Sequence, residues 1–133
     1  MSTKKTRWYI DTSAAFKLLR GEAETEYLQD MLDGAQPYLV SCDLLETELR
    51  RAAFNGSVPQ KEASSLIEEI DLYAVPRSVF HDAGLLQTPG LRSLDAIHLA
   101  SAKRLQVDVI LTYDDRMARG ANDLGYLVIS PGV

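Results

Sequence analysis

Apolar positions along the chain follow two alternating patterns. Five short, densely apolar runs punctuate the sequence: "RWYID" (7–11), "YLVS" (38–41), "LYAVP" (72–76), "VILTYD" (109–114) and "YLVIS" (126–130). Runs of this length and density predict strands buried on both faces. Between them, apolar residues recur three and four apart, as amphipathic helices require. These segments are "TSAAFKLLRG" (12–21), "ETEYLQDMLDG" (24–34), "DLLETELRRAAFNG" (43–56), "PQKEASSLIEEI" (59–70), "SVFHDAGLL" (78–86), "SLDAIHLASAKRLQ" (93–106) and "DRMARGANDLG" (115–125). Thr12 or Ser13 is the expected cap of the first, with Gly21 as its stop, and Ser93 the expected cap of the sixth. "QTPGLR" (87–92) is a loop with a Pro-Gly turn signal. Strands separated by helices predict βα units, hence an α/β fold whose parallel sheet is covered on both faces.

Composition narrows this picture. The length fits one domain over residues 1–133, with residues 1–6 as a flexible N-terminal extension. Repeats, low-complexity tracts and long linkers are absent from the sequence. The single Cys42 excludes an intrachain disulfide and predicts a reducing, cytoplasmic setting. No apolar run reaches the length of a membrane span, and no signal-type region follows the basic start. One cysteine and two histidines weigh against a zinc site, so a metal here would be held by carboxylates, which select Mg²⁺ or Mn²⁺. A net charge of −5 argues against a protein that coats nucleic acid, but not against a nuclease whose acids gather around a cation.

The acids are placed unevenly. In open α/β sheets, sites form beyond the carboxyl ends of the strands. Asp11 closes the first strand-like run and Asp114 the fourth, so a parallel sheet would bring both to one edge. Each reads equally as a cap of the helix that follows. Glu48 shares the apolar face of its helix with Leu44, Leu45 and Ala52, whereas Glu46 lies about 160° round, four residues before Arg50. Glu46 is therefore a surface partner of Arg50. Glu48 points inward, where it needs a cation or an ion pair with a nearby Arg. Asp95 falls in the first turn of an otherwise apolar helix, either as a charge–dipole contact or as a ligand. His98, three residues on, reads as a core or near-core histidine with a hydrogen-bonded ring, and His81 as structural or exposed. Carboxylates gathered in one cleft require cations, and with Mg²⁺ they form a device for phosphodiester cleavage. The sequence shows no Ser-His-Asp or Cys-His set and no phosphate-cradling glycine loop.

"YIDTSA", "VSCDLLETELRRA", "LRSLDAIHLASA" and "ILTYDDRM", in this order and spacing, resemble PIN-domain ribonucleases, and more narrowly the VapC toxins of VapBC toxin–antitoxin pairs. The resemblance covers nearly the whole chain. It implies a PIN-like three-layer sandwich around a five-stranded parallel sheet, and a Mg²⁺- or Mn²⁺-dependent endoribonuclease. By motif match, Asp11 and Asp95 resemble the core metal ligands, with Glu48 and Asp114 completing the acidic set. Thr12, Ser13 and Thr112 match positions where the family places hydroxyls near the metal or its waters, and Asp115 is an extra acid for helix capping or the outer shell. Structured RNA, commonly tRNA or rRNA, is the implied substrate, with Lys17, Arg20, Arg50, Arg51, Arg92 and Arg116 as phosphate contacts. The implied partners are a cognate VapB-type antitoxin covering the acidic cleft and a second copy in a homodimer, with no membrane. The competing expectation is a non-catalytic module that keeps the fold for RNA or antitoxin binding. A phosphotransfer receiver and a D-x-D phosphatase both disagree with the "DTS" that ends the first strand-like run.

Overall fold

The computed structural model describes residues 5–133. Its strands are β1 (Arg7–Ile10), β2 (Tyr38–Cys42), β3 (Asp71–Tyr73), β4 (Val109–Leu111) and β5 (Leu127–Ile129). Its helices are α1 (Thr12–Leu19), α2 (Thr25–Ala35), α3 (Leu44–Asn55), α4 (Gln60–Glu68), α5 (Arg77–Gly84), α6 (Ser93–Arg104) and α7 (Asp115–Asp123). All strand pairs are parallel, in the order β3-β2-β1-β4-β5. The chain builds outward from β1 to β3, then returns to pair β4 on the other side of β1. That reversal opens a crevice beyond the carboxyl ends of β1 and β4.

Strand alternation sorts the core into two halves. Trp8 and Ile10 of β1, with Val109 and Leu111 of β4, face Ala14, Ala15, Leu28, Leu45, Leu49 and Leu66 from α1–α4. Tyr9, Val40 and Ile110 face the opposite way, against Leu99 and Ala102 of α6 and Met117 and Ala121 of α7. α5 covers the outer side of α6 through Val79, Ala83, Ala96 and Ala100. The result is three layers, with helices changing face where the chain reverses, as right-handed crossovers demand. α6 is packed on several sides, with Ala96 and His98 to Ala102 all buried, which is why its sequence carries so little charge.

Several expected boundaries move. The runs 7–11 and 109–114 leave the sheet early, at Ile10 and Leu111, because Asp11 and Asp114 turn the chain into helices. Asp11, not Thr12 or Ser13, caps α1. Ser93 lies inside the first turn of α6, flanked by Arg92, which makes no side-chain cap. α2 passes through Gly34 and stops at Gln36, whose φ of 45° is left-handed. β3 ends at Tyr73 rather than Pro76, which instead precedes α5. Residues 1–4 of the expected extension lie outside the described residues, and the Thr6 carbonyl already accepts from the Tyr38 N–H at 2.9 Å.

Gly120 of α7 lets α6 approach closely: a Cβ there would stand 2.6 Å from Leu99 Cδ1, and Leu99 is fully buried. Gly120→Ala is expected to destabilise the protein, although alanine is favoured in helices by about 1 kcal/mol. Leu99→Ala should cost about 2–5 kcal/mol. In the Leu99→Ala background, Gly120→Ala should turn stabilising. Urea unfolding of the double-mutant cycle checks this, and additive effects would refute the packing argument.

Candidate active site

Asp11 sits at the crevice, 5% exposed, and its carboxylate is tied on both oxygens. Oδ1 accepts the Ala14 N–H at 3.0 Å and the Ser13 hydroxyl at 2.7 Å; Oδ2 accepts the Thr112 hydroxyl. Each hydroxyl in turn accepts a backbone N–H from the segment after β4. Tyr113 N–H donates to Ser13 Oγ at 2.9 Å, and Asp114 N–H to Thr112 Oγ1 at 3.0 Å. One carboxylate thus joins the ends of β1 and β4. Burial pushes the Asp11 pKa up against the hydrogen bonds from Thr112 and Ser13 that pull it down. The hydroxyls expected near a metal are therefore engaged with carboxylates. Thr12 follows the same rule, donating to Glu48 Oε1 at 2.9 Å.

Glu48, on α3, has its side chain 25% exposed and directed at His98 of α6. His98 Nε2 lies 2.6 Å from Glu48 Oε1, and Nδ1 lies 2.7 Å from the Tyr9 hydroxyl and 3.7 Å from Cys42 Sγ. Burial would raise the Glu48 pKa, but the hydrogen bond and charge of His98, helped by Thr12, hold it below the usual range. Burial opposes charge on His98; hydrogen bonds and charges from Cys42 and Glu48 outweigh it and lift the imidazole to about 10. The cation expected for Glu48 is thus His98 rather than an arginine. His98 is a buried, hydrogen-bonded histidine, but its partner arrives from another helix, which local spacing could not reveal. Two shared faces offered a partial signal. Tyr9 and Asp11 are two apart on an extended segment, and Asp95 and His98 three apart on a helix.

Asp95 and Asp114 are near enough to repel. Burial first, and then the Asp114 charge, push the Asp95 pKa up. Asp114 caps α7, accepting the Met117 N–H on Oδ1 at 2.9 Å. Capping and a place at the crevice therefore coexist in Asp11 and Asp114. Asp115 is exposed in the first turn of α7 and is not its cap. With Asp114, Arg116 and Arg119 it lines a polar depression of about 280 Å³. Arg119 is a cation that sequence spacing did not single out.

Among the described residues, no group of three or more His, Cys, Asp and Glu side chains is disposed to surround one ion. The donor chemistry nevertheless fits Mg²⁺ or Mn²⁺. Asp11 uses three of the roughly four acceptor positions of a carboxylate, which leaves one on Oδ2. Glu48 receives both its donors on Oε1, so Oε2 is available. Mg²⁺ typically takes one or two carboxylates and keeps several waters, so it does not need three protein ligands at once.

Comparison with known proteins decides the family. The PIN domain family model matches residues 8–123. The chain belongs to the PIN-domain family, among its VapC ribonucleases. "Ribonuclease VapC46" of Mycobacterium tuberculosis is 41% identical over 126 residues, spanning 92% of this chain and 96% of that protein. "Ribonuclease VapC35" of the same species is 35% identical over 130 residues, spanning 93% and 96%. The fold is shared with the crystal structure of VapC20 from Mycobacterium tuberculosis, described as a sarcin-ricin loop cleaving toxin (TM-score 0.74, 13% identity, 93% of this chain and 99% of that one). It is also shared with a toxin–antitoxin complex from Klebsiella pneumoniae (TM-score 0.71, 18% identity, 92% and 96%).

In this PIN domain the expected phosphate contacts divide. Lys17 is committed internally: it is 12% exposed, 2.9 Å from Glu24, 3.6 Å from Glu22, and 4.7 Å from the centre of the Tyr113 ring. Arg50 pairs with Glu46 at 3.1 Å, as the helical spacing predicts, and also donates to Gln60 and Ser64. The donors of both side chains are engaged within the protein. Arg20, Arg51, Arg92 and Arg116 are exposed, Arg51 lying over the Phe54 ring. His81 is exposed beside Asp82.

Because Asp11 caps α1, substitutions there should separate charge from fold. Asp11→Asn keeps a capping oxygen and should leave the unfolding midpoint close to that of the unaltered protein. Asp11→Ala should lose about 0.5–2 kcal/mol from the cap alone. Urea titrations of the two variants measure the difference, and equal midpoints would remove the capping role.

Proposed function

We propose that this chain is a divalent-metal-dependent endoribonuclease, the toxin of a toxin–antitoxin pair, hydrolysing phosphodiester bonds in structured RNA such as tRNA or rRNA. The observation that carries the proposal is the clamped Asp11 carboxylate at the sheet's switch point, with Asp95, Asp114 and Glu48 on the elements around it. The VapC ribonucleases it resembles in sequence, and the toxins whose solved structures share its fold, support the same reading.

Asp11 and Asp95 would hold the Mg²⁺ or Mn²⁺, with Glu48 and Asp114 completing the acidic set. A bound divalent ion would polarise the scissile phosphate and lower the pKa of a coordinated water. The protein supplies the rest. Ser13 and Thr112 keep the Asp11 carboxylate from rotating. Glu48, held on Oε1, presents Oε2 to orient a water for in-line attack. Asp95 is carried on the packed helix α6, so its position is set by the core. Arg92 and Arg116, with Arg119 beside the latter, flank these acids and would bind backbone phosphates. A VapB-type antitoxin would find the same cleft attractive to an inserted Arg or Lys, because metal-free carboxylates favour any cation. A homodimer and a cytoplasmic setting complete the proposal. Among the described residues, no helix is long and apolar enough to cross a membrane.

Purified, antitoxin-free protein should cleave RNA with Mg²⁺ or Mn²⁺ and stop on addition of EDTA. Asp11→Asn should abolish cleavage and leave RNA binding near normal. Cleavage that persists in EDTA would exclude the metal mechanism, and binding without any cleavage would favour the non-catalytic module. A second measurement addresses the phosphate contacts. Arg116→Ala and Arg119→Ala should each weaken RNA binding and flatten its salt dependence by about one charge. Lys17→Met should leave both unchanged, and fluorescence anisotropy across a salt series distinguishes these outcomes.

A further inference from the structure

We propose that Tyr9 and His98 form a buried positioning relay that fixes the direction of Glu48. The inference rests on the catalytic reading above and adds two residues to it. His98 is 3% exposed and Tyr9 is fully buried, so water does not compete for their polar atoms. His98 Nε2 lies 2.6 Å from Glu48 Oε1, which also accepts the Thr12 hydroxyl at 2.9 Å, so the ring nitrogen is placed as a second donor to that carboxylate oxygen. The Tyr9 hydroxyl, 2.7 Å from Nδ1, holds the other end of the ring, and the two rings meet edge to face with centroids 5.7 Å apart. A glutamate on a helix has three side-chain torsions, so a carboxylate 25% exposed would otherwise sample several rotamers. Two donors on the same oxygen, His98 and Thr12, remove that freedom and leave Oε2 as the working oxygen.

The relay also ties together the elements that carry the acids. Tyr9 is on β1, two residues before Asp11; Glu48 is on α3; His98 is one turn from Asp95 on α6. A shift of α6 against α3 would misplace Asp95 and Glu48 together. Partners that orient a metal-site ligand commonly contribute about 10–100-fold to metal affinity or activity. His98 and Tyr9 are positioning residues in this sense. They act through Glu48 and do not touch substrate.

The test uses the full chain, free of antitoxin, with His98→Leu, His98→Gln, Tyr9→Phe, Glu48→Gln and the His98→Leu/Glu48→Gln double variant. Mn²⁺ binding is followed without RNA, by the loss of the free-ion electron paramagnetic resonance signal. RNA cleavage is resolved into kcat and KM. His98→Leu should lower Mn²⁺ affinity or kcat about 10–100-fold at unchanged KM. His98→Gln, which retains an N–H toward Glu48, should recover most of the loss, and Tyr9→Phe should fall between. In the Glu48→Gln background, His98→Leu should have no further effect. An active protein in which His98→Leu matches the unaltered chain, in which His98→Gln does no better than His98→Leu, or in which the double variant is additive, overturns the relay alone. If His98→Leu does not fold, His98→Gln and Tyr9→Phe decide. Near-normal His98→Gln with a reduced Tyr9→Phe supports the relay, and an unaffected Tyr9→Phe overturns it. Unaltered protein that neither binds Mn²⁺ nor cleaves RNA removes the catalytic reading itself, and the relay with it.

Discussion

The carboxylate of Asp11 is the point on which the site is hung. Two hydroxyls grip it, Ser13 from the start of α1 and Thr112 from just beyond β4, and each hydroxyl accepts a backbone N–H of the segment leaving β4. A buried carboxylate is tolerable only when its oxygens are satisfied, so these contacts keep the crevice closed at its base. They also set where Asp114 emerges, since its N–H is one of the groups held. The position of one acid thereby determines the position of a second, through hydrogen bonds and not through packing alone.

Charge in the crevice is distributed more unevenly than a count of carboxylates implies. Glu48 is matched inside the protein by His98, whereas Asp95 and Asp114 repel each other without a comparable buried partner. Removing the histidine would leave a half-buried carboxylate without its buried cation, which makes the buried pair costly to break from either side. The unmatched acids are where an external cation is most favoured. Under the proposed function, a metal, an antitoxin side chain and the exposed arginines nearby would compete for the same field.

Local pattern carried the fold well. The alternation of short apolar runs with helices specified a parallel sheet. Helical geometry separated Glu46, which pairs with Arg50, from Glu48, which turns inward. Two kinds of feature were not legible. Boundaries slipped where an aspartate ended a strand by capping the next helix, because one residue serves both elements and periodicity assigns it to either. Partners slipped where contacts join distant segments. Nothing near His98 announces Glu48, fifty positions away in sequence. Lys17 looked free until Glu24 and the Tyr113 ring were brought over it by the fold.

The clamp joins residues 101 apart in sequence. A chain emerging from the ribosome in order has Asp11, Glu48 and Asp95 outside before Thr112 appears, so the acids precede the hydroxyl that organises them. Synthesis proceeds at about 5–20 residues per second, and long-range contacts form only once both ends are present. The assembled crevice is therefore acquired only after β4 and the residues that follow it have emerged. Under the proposed function, a chain stalled before Thr112 would carry three acids of the site, Asp11, Glu48 and Asp95, without Asp114 and without the hydroxyl that fixes the second oxygen of Asp11. A partner that recognises the finished crevice would bind only after β4 and the segment leaving it have docked.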